Sequence, residues 1–166
     1  MKKMRKKKMS SLKIVRLVHT KKLHPDAVLP TPKPGDVGFD LSSVEDVICC
    51  HPGRVAKIPT GLALAKPMIT QDNNSLFFKV EGRSGLASKG LFPVGGIIDP
   101  SYRGEIAVLL FNSTDAPYVI SKGDRIAQLV CYNVLAPNEN IGVKFIETEE
   151  LQASERADSG FGSSGK

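Results

Sequence analysis

The chain contains 166 residues, of which 41% are hydrophobic, and this is enough to form one domain around a buried core. It has no run of about 18 or more apolar residues, so the sequence does not predict a transmembrane helix. The net charge of +6 is local, because six of the 23 basic residues lie in the first eight positions and the others balance the 17 acidic residues. The body therefore lacks the overall positive field that attracts polyanions, and any anion site must be built locally.

Residues 1–10 form a basic tail, which we expect to be a disordered, solvated arm. The alternative is that the tail acts as a nuclear localisation signal or contacts nucleic acid. The tail does not resemble a secretory signal, because no apolar segment follows the charged residues. Cys49, Cys50 and Cys131 are odd in number and lack C-x-x-C spacing, which favours a reduced intracellular protein, cytoplasmic or nuclear. The three histidines show no metal-ligand spacing with these cysteines, so no structural metal is predicted.

The first half of the chain reads as short strands separated by turns rich in proline, glycine and polar residues. Leu12–Val18 is β-branched and partly alternating, which predicts a first strand. Leu29–Asp40 contains three prolines and two glycines, so it cannot form regular helix. Two pairs of strands follow: Val44–Ile48 with Arg54–Ile58 around the turn His51–Gly53, and Thr60–Ala65 with Leu76–Glu81 around the turn Gln71–Asn74.

The second half continues this pattern. Gly82–Gly90 is too rich in glycine for a long helix but can form one turn. Val94–Glu105 predicts a β-hairpin, with Ile97 and Ile98 before a turn at Pro100 and Ser101, and an apolar strand then runs to Asn112. The remaining predicted features are Tyr118–Ile120 before a turn at Lys122–Asp124, the strands Arg125–Leu135 and Gly142–Glu147, and a helix at Glu147–Ala153.

Strands at a spacing of roughly ten residues, separated by Gly and Pro, indicate an all-β protein, either a β-barrel or a jelly roll. We divide the chain into a basic tail (1–10), a β domain (11–153) and a glycine-rich C-terminal arm (154–166). The composition of the arm does not allow enough burial to offset its ordering entropy, so we expect it to be mobile without ligand.

The hairpin segment Val94–Glu105 is the first candidate site. Asp99 lies at the mouth of its turn, and Gly95 and Gly96 would let a ligand approach the backbone closely. A surface hairpin is the plain alternative, because Asp and Gly are common in turns. Matching groups elsewhere in the chain therefore decide whether the hairpin is a site.

Such groups occur in three other segments. Arg83 and Ser84 suit phosphate contact, whereas the G-x-S-x-G pattern of a serine hydrolase is absent. Gln128 places one amide in an apolar strand, where it either satisfies backbone groups or faces a ligand. The end of the chain nominally fits G-x-x-x-x-G-K but lacks the strand and helix of a P-loop. Its groups for phosphate and base contact are Arg156, Phe161, Ser163 and Ser164.

Together these segments resemble the five motifs of the trimeric deoxyuridine triphosphate nucleotidohydrolases (dUTPases), in order and over about Leu12 to Gly165. The five segments are Val37–Leu41, Gly82–Ala87, Val94–Glu105, Gly123–Leu129 and Arg156–Gly165. The chain departs from the family at Gly82, where proline is common, and at Ala157 and Ser159, where glycines are usual. Ser164 stands where threonine is common, and none of these departures removes a catalytic group.

The resemblance implies a fold and a reaction. The fold is a distorted jelly roll or β-barrel, assembled as a homotrimer with shared sites, and the reaction is hydrolysis of dUTP to dUMP and pyrophosphate. This reaction lowers dUTP and supplies dUMP for thymidylate synthesis. Asp99 would activate a water that attacks the α-phosphorus, with Asp40 in a supporting role and Mg²⁺ held through the substrate phosphates rather than by direct protein ligands. The implied substrate-binding residues are Arg83, Ser84, Gly85, Gly96, Ile98, Tyr102, Gln128, Arg156, Phe161, Gly162, Ser163 and Ser164.

Two other functions remain open from the sequence. A dCTP deaminase shares this fold but uses a glutamate on the strand after the hairpin, where this chain has Leu109. A catalytically idle nucleotide-binding regulator would not need the carboxylate of Asp99. Apart from a contact made by the basic tail, we expect no nucleic-acid partner, and we expect no membrane partner.

Overall fold

The computed structural model describes residues 18–31, 34–66, 75–134 and 146–147. The chain divides into two compact units, Met1–Leu135 and Ala136–Lys166. In the second unit the described residues are Ile146 and Glu147, and both are exposed. The fold presented below is that of the first unit.

Within the described ranges, the first unit is built from strands and one short helix. The strands are β1 (Thr20–Lys22), β2 (Gly38–Ser42), β3 (Val47–Cys50), β4 (Val55–Leu64), β5 (Ser75–Glu81), β6 (Leu91–Pro93), β7 (Ile97–Ile98), β8 (Glu105–Asn112), β9 (Tyr118–Ser121) and β10 (Arg125–Val134), and the helical turn α1 is Ser84–Ala87. Every strand pair is antiparallel. This confirms the all-β prediction and the single turn of helix after Gly82.

Two four-stranded sheets and one two-stranded sheet make up the fold. The first sheet has the order β1-β4-β8-β6, the second has the order β2-β10-β5-β7, and β3 pairs with β9. Both large sheets contribute to one apolar core, with Ile58 and Val108 from the first and Leu41 and Ile126 from the second. The result is the distorted jelly roll that the sequence predicts, because each sheet buries one face against the other.

Alternation along β8 shows how the sequence produces this packing. Ile106, Val108 and Leu110 are buried, while the residues between them face outward. The last buried residue of the strand is polar: Asn112 donates hydrogen bonds from Nδ2 to the carbonyl oxygens of Cys50 and Ala116, both at 2.8 Å. Its own Oδ1 accepts from the Thr114 backbone N–H at 3.0 Å. These bonds offset the cost of burying an amide.

The predicted hairpin across Asp99 is wrong in its pairing. The turn exists, because the Tyr102 N–H donates to the Asp99 carbonyl oxygen at 3.0 Å. However, Ile97 and Ile98 pair with Lys79 and Phe78 on β5, whereas the strand after the turn belongs to the other sheet. The segment therefore carries the chain from one sheet to the other, and local turn chemistry does not distinguish that crossing from a hairpin.

The two earlier strand pairs are also wrong in their partners. β3 pairs with β9, and β5 pairs with β10 and β7. The predicted strands Arg54–Ile58 and Thr60–Ala65 fall largely within one strand, β4, which contains Pro59 and a register shift between Pro59 and Leu62. Long-range burial selects these partners, because each strand must place its apolar face on the common core.

The other element predictions have mixed outcomes. Leu29–Asp40 is non-helical where described, but its end forms β2, which was not predicted as a strand. β1 and β6 were also missed, whereas β8 and β10 were predicted within a residue or two where described. Several predicted segments lie wholly or mostly outside the described residues. The tail and the arm lie wholly outside them, as do most of the predicted strands Leu12–Val18 and Gly142–Glu147 and most of the predicted helix Glu147–Ala153. Within the described ranges, no helix is long and apolar enough to cross a membrane.

Candidate active site

A cleft beside β2 and β10 gathers charged groups from three separate segments. We call it the Arg83 cleft, and its lining residues are Asp36, Asp40, Arg83, Ser84, Gly85, Arg125 and Gln128. Arg83 Nε lies 2.9 Å from Asp40 Oδ1, and Arg125 Nη1 lies 3.2 Å from Asp40 Oδ2. One carboxylate thus holds two guanidinium groups in the same cleft, an arrangement suited to a ligand with several negative oxygens.

Strand register explains why these residues meet. Gln128 on β10 stands opposite Asp40 on β2 and opposite Glu81 on β5. The Gln128 side chain donates from Nε2 to the Gly82 carbonyl oxygen at 2.9 Å, and a Cβ at Gly38 would collide with the Gln128 amide. The amide therefore satisfies a backbone acceptor, which is one of the two alternatives that the sequence left open, and Gln128 also lines the cleft.

Arg83 also orders the start of α1. Its backbone is extended at this position (φ −98°, ψ 133°), and its carbonyl oxygen accepts from Leu86 and Ala87 N–H groups at 3.0 and 2.9 Å. Buried Leu86 anchors the turn, while Ser84 and Gly85 remain exposed. Their hydroxyl and backbone N–H groups are therefore presented beside Arg83, where a phosphate oxygen can reach them.

A second cleft, which we call the Asp99 cleft, contains the predicted groups of the segment Val94–Glu105. Its lining includes the predicted Gly96, Ile98, Asp99 and Tyr102, together with Lys57, Val80, Val94, Ile97, Glu105, Ala107 and Leu109. Asp99 is exposed at the turn, and the Tyr102 hydroxyl donates to the Glu105 carbonyl oxygen at 3.2 Å. The Tyr102 ring lies so close to Gly104 that a Cβ there would collide with it. The ring is thus held against its own turn while remaining 43% exposed.

Glu105 anchors this turn to the first sheet, and sequence reasoning missed it. Its Oε1 accepts from the Gly61 backbone N–H at 2.7 Å, across the register shift in β4. Gly61 is buried and has a φ of 66°, so its N–H needs this partner. Arg125 was missed as well, because strict alternation along its strand would turn it toward the core.

β7 gives the Asp99 cleft a backbone surface. It is the last strand in the order of the second sheet, so one edge of Ile97 and Ile98 lacks a neighbouring strand among the described strands. Gly96 leads into it with a φ of 97°, and its carbonyl oxygen accepts from the Val80 N–H at 2.9 Å. A planar ligand with its own donors and acceptors can pair with such an edge.

The two clefts share no residue. The Arg83 cleft contains the predicted residues Asp40, Arg83, Ser84, Gly85 and Gln128. The Asp99 cleft contains the predicted residues Gly96, Ile98, Asp99 and Tyr102. Arg156, Phe161, Gly162, Ser163 and Ser164 lie outside the described residues. Among described residues, no group of three or more His, Cys, Asp or Glu could hold a metal ion. The donor set of the Arg83 cleft therefore fits an anionic ligand better than a bare cation.

Fold and clefts together define an all-β protein with one cleft lined by two guanidinium groups and a second, edge-strand cleft that presents an exposed carboxylate. Comparison with known proteins identifies the family. The dUTPase family model matches residues 25–165. The chain belongs to the dUTPase family.

Curated relatives with the name deoxyuridine 5'-triphosphate nucleotidohydrolase are similar over most of their length. The protein of Corynebacterium glutamicum is 41% identical over 165 residues, which cover 95% of this chain and 97% of the relative. That of Gloeobacter violaceus is 44% identical over 142 residues, covering 82% and 88%. That of Oryza sativa subsp. japonica is 39% identical over 155 residues, covering 92% and 83%.

Solved structures agree with this assignment. A mutant of the dUTPase of Staphylococcus bacteriophage 80alpha with dUpNHpp has a TM-score of 0.75 at 27% identity, covering 92% of this chain and 100% of the phage chain. A mutant dUTPase of phage phi11 of S. aureus, described with a structural Mg(II) ion, has a TM-score of 0.67 at 23% identity, covering 83% and 100%. At that identity the second likeness concerns the fold alone.

Proposed function

We propose that this protein hydrolyses dUTP to dUMP and pyrophosphate, which lowers dUTP and supplies dUMP for thymidylate synthesis. The observation that carries the proposal is the grouping of four family motifs into two clefts of complementary chemistry. One cleft offers two guanidinium groups around Asp40, and the other offers an exposed carboxylate, Asp99, beside an edge strand. Family membership supports this reading, because these are the segments that resemble the family motifs.

In this proposal Asp99 orients and deprotonates the water that attacks the α-phosphorus. Arg83, Ser84, Gly85 and Gln128 bind the phosphate chain and stabilise charge that develops on its oxygens. Asp40 holds Arg83 through Nε, which fixes the direction of its remaining N–H donors.

Mg²⁺ would reach the site on the triphosphate. In this proposal its ligands would be phosphate oxygens and water, and the Arg83 cleft would hold the phosphate chain. When bound, Mg²⁺ neutralises negative charge on the phosphates.

Recognition of the base and the sugar would occur in the Asp99 cleft. The open backbone edge of β7, at Ile98, can pair with the donors and acceptors of uracil, whereas cytosine would present a mismatched edge. The Tyr102 ring, held by its hydrogen bond to Glu105, would pack on the deoxyribose and leave no room for a 2′-hydroxyl.

We further propose a homotrimer in which one site draws on more than one protomer. The two clefts share no lining residue, which supports this assembly, because in this proposal Asp99 and Arg83 act on one triphosphate. The outer face of the first sheet also supports it, since Val55, Phe92 and Leu109 on that face are 51%, 42% and 39% exposed, and Leu109 lines the Asp99 cleft. An apolar patch of this kind is typical of a subunit interface.

The C-terminal arm (154–166) completes the site in this scheme. Arg156, Ser163 and Ser164 would bind phosphates, Phe161 would cover the base, and Gly162 would allow close approach. Residues 1–10 remain a tail in front of a β domain at 11–153. We place the reaction in the cytoplasm, or in the nucleus if the tail acts as an address. A salt-sensitive DNA affinity that is lost on deletion of residues 1–8 would assign the tail a nucleic-acid contact.

The test is pyrophosphate release from dUTP, dCTP, dTTP and UTP, each with Mg²⁺ and with a chelator. We expect pyrophosphate release from dUTP in the presence of Mg²⁺, and none from the other three nucleotides or in the presence of the chelator. Ammonia release from dCTP would instead indicate a deaminase, although Leu109 occupies the position where that chemistry needs an acid. An intact oligomer that binds dUTP without turnover would indicate an idle regulator and refute the proposal.

A further inference from the structure

A bulge in β4 directs a buried backbone N–H group to a side chain at the start of β8. The register against β8 shifts between Pro59 and Leu62, so the two residues between them, Thr60 and Gly61, form the bulge. Both are buried, and buried backbone N–H groups need an acceptor. For Gly61 that acceptor is the Glu105 carboxylate, whose Oε1 lies 2.7 Å from the Gly61 nitrogen.

Gly61 is held on its other side by the loop before β2. Its carbonyl oxygen accepts from the Leu23 N–H at 2.7 Å. A Cβ at Gly61 would lie 2.7 Å from His24 Cβ and 2.9 Å from Ala27 Cβ, and the φ of 66° is one that few other residues adopt. The Glu105 carboxylate is therefore bound to a tightly packed part of the first sheet.

The backbone of Glu105 holds the Tyr102 ring. The Tyr102 hydroxyl donates to the Glu105 carbonyl oxygen at 3.2 Å, and the ring lies against Gly104, where a Cβ would collide with it. Tyr102 and Glu105 both line the Asp99 cleft. Glu105 thus connects the exposed ring, through its backbone, to the buried bulge, through its side chain.

The turn before Glu105 has its own internal hydrogen bonds. The Tyr102 N–H donates to the Asp99 carbonyl oxygen at 3.0 Å, and Arg103 Nη1 donates to the carbonyl oxygens of Pro100 and Tyr102 at 2.9 and 2.7 Å. These bonds fix the shape of the turn. The bond from Glu105 to the bulge instead joins the end of the turn to the first sheet.

We propose that Glu105 is a positioning residue for sugar selectivity, which holds the Tyr102 ring where it excludes a ribose 2′-hydroxyl. This inference rests on the proposed function and deepens it by naming the group that fixes the ring. A ring excludes one hydroxyl group only while it stays in place, and small displacements at a binding site have large effects. A bond between a carboxylate and a backbone N–H is strong enough to provide that restraint.

The test compares binding of dUDP and UDP by calorimetry with the full-length protein, because the two ligands differ only in the 2′-hydroxyl. The wild-type protein should prefer dUDP. Glu105→Asp keeps the charge but is one methylene too short to reach Gly61, and it should reduce the preference by about tenfold. Glu105→Gln keeps the length and an acceptor oxygen, so it should retain most of the preference. Glu45→Asp is the matched control, because Glu45 is an exposed glutamate outside both clefts, and it should leave the preference unchanged.

Other patterns would overturn the proposal. A preference that is lost in Glu105→Gln and kept in Glu105→Asp would show that the charge matters and the bond to Gly61 does not. A lower unfolding temperature of Glu105→Asp with an unchanged preference would reduce the bond to a structural role. A wild-type protein that binds UDP as tightly as dUDP would also refute it. If Glu105→Asp does not fold, an unchanged preference in Tyr102→Phe, which removes the hydroxyl bound to Glu105, decides against the proposal.

The outcomes also separate this proposal from the proposed function. If the wild-type protein prefers dUDP but releases no pyrophosphate from dUTP, the hydrolysis is refuted, and the binding data still decide the role of Glu105. If the wild-type protein hydrolyses dUTP and Glu105→Asp keeps the full preference for dUDP, the role of Glu105 alone is refuted.

Discussion

Gly95 and Gly96 form a matched pair for testing how the Asp99 cleft is built. Both have positive φ values, 68° and 97°. A Cβ at Gly95 would meet no heavy atom within 4 Å, whereas a Cβ at Gly96 would lie 2.9 Å from Val80 Cβ and 3.2 Å from the Val80 carbonyl oxygen. Alanine at Gly96 would therefore push against the strand that supports β7.

The magnitudes follow from these contacts. Gly95→Ala should cost about 1–2 kcal/mol, because alanine is strained at positive φ and the lower entropy of the unfolded chain offsets only part of that strain. Gly96→Ala adds overpacking of about 1–3 kcal/mol and weakens the hydrogen bond from the Val80 N–H to the Gly96 carbonyl oxygen, worth about 0.5–1.5 kcal/mol. The difference between the two variants should be about 1.5–4.5 kcal/mol.

Urea unfolding followed by circular dichroism, at one protomer concentration, measures the free energy of unfolding of each variant. Gly96→Ala should also lower dUTP turnover more than Gly95→Ala, because it displaces the edge strand that we assign to the base. Equal unfolding free energies for the two variants would refute the argument, since only the contact with Val80 distinguishes them strongly.

Three further predictions concern single side chains. Asp99→Asn should lower the rate of dUTP hydrolysis by about 10²–10⁴-fold while dUMP affinity is kept; an unchanged rate would show that Asp99 is not the base. Glu105→Leu leaves the N–H of buried Gly61 unpaired and should cost about 1–3 kcal/mol in urea unfolding, whereas Glu105→Gln retains an acceptor; equal losses would contradict this role. Burial raises the pKa of the Cys50 thiol, with the Cys49 charge as a second cause. The thiolate is the reactive form of cysteine, and it appears as the pH rises through the pKa. Iodoacetamide at mildly alkaline pH should therefore label exposed Cys49 first and Cys50 only after denaturation, as measured by peptide mass spectrometry. Equal labelling of the two cysteines in the folded protein would contradict the burial of Cys50.

Local patterns and the family resemblance selected residues that the structure brings together. Asp40, Arg83 and Gln128 were selected as separate residues, and the structure brings them into one cleft. Tyr102 and Asp99 were expected at one turn, and the hydrogen bond between their backbones confirms that turn. Turn residues, glycines and isolated polar groups in apolar strands act over a few positions, so one sequence suffices to recognise them.

Arg125 shows where this reasoning stops. Alternation assigns it to the buried face, and only a register shift against a distant strand turns it outward. Glu105 is similar, because its acceptor role depends on Gly61, which lies far away in the chain. Such positions are set by the pairing of whole strands, which the residues next to them do not specify.

The sequence by itself determined the all-β class, the turn at Asp99, the single turn of helix after Arg83 and the residue types of the two clefts. Tertiary structure decided which strands pair, why the chain crosses between sheets at Asp99, and which of the predicted residues line the same cleft. The physical reason is that turns and local polar groups depend on short-range sterics and hydrogen bonding. Strand partners, in contrast, are chosen by the burial of apolar faces in one common core, and that choice involves the whole chain at once.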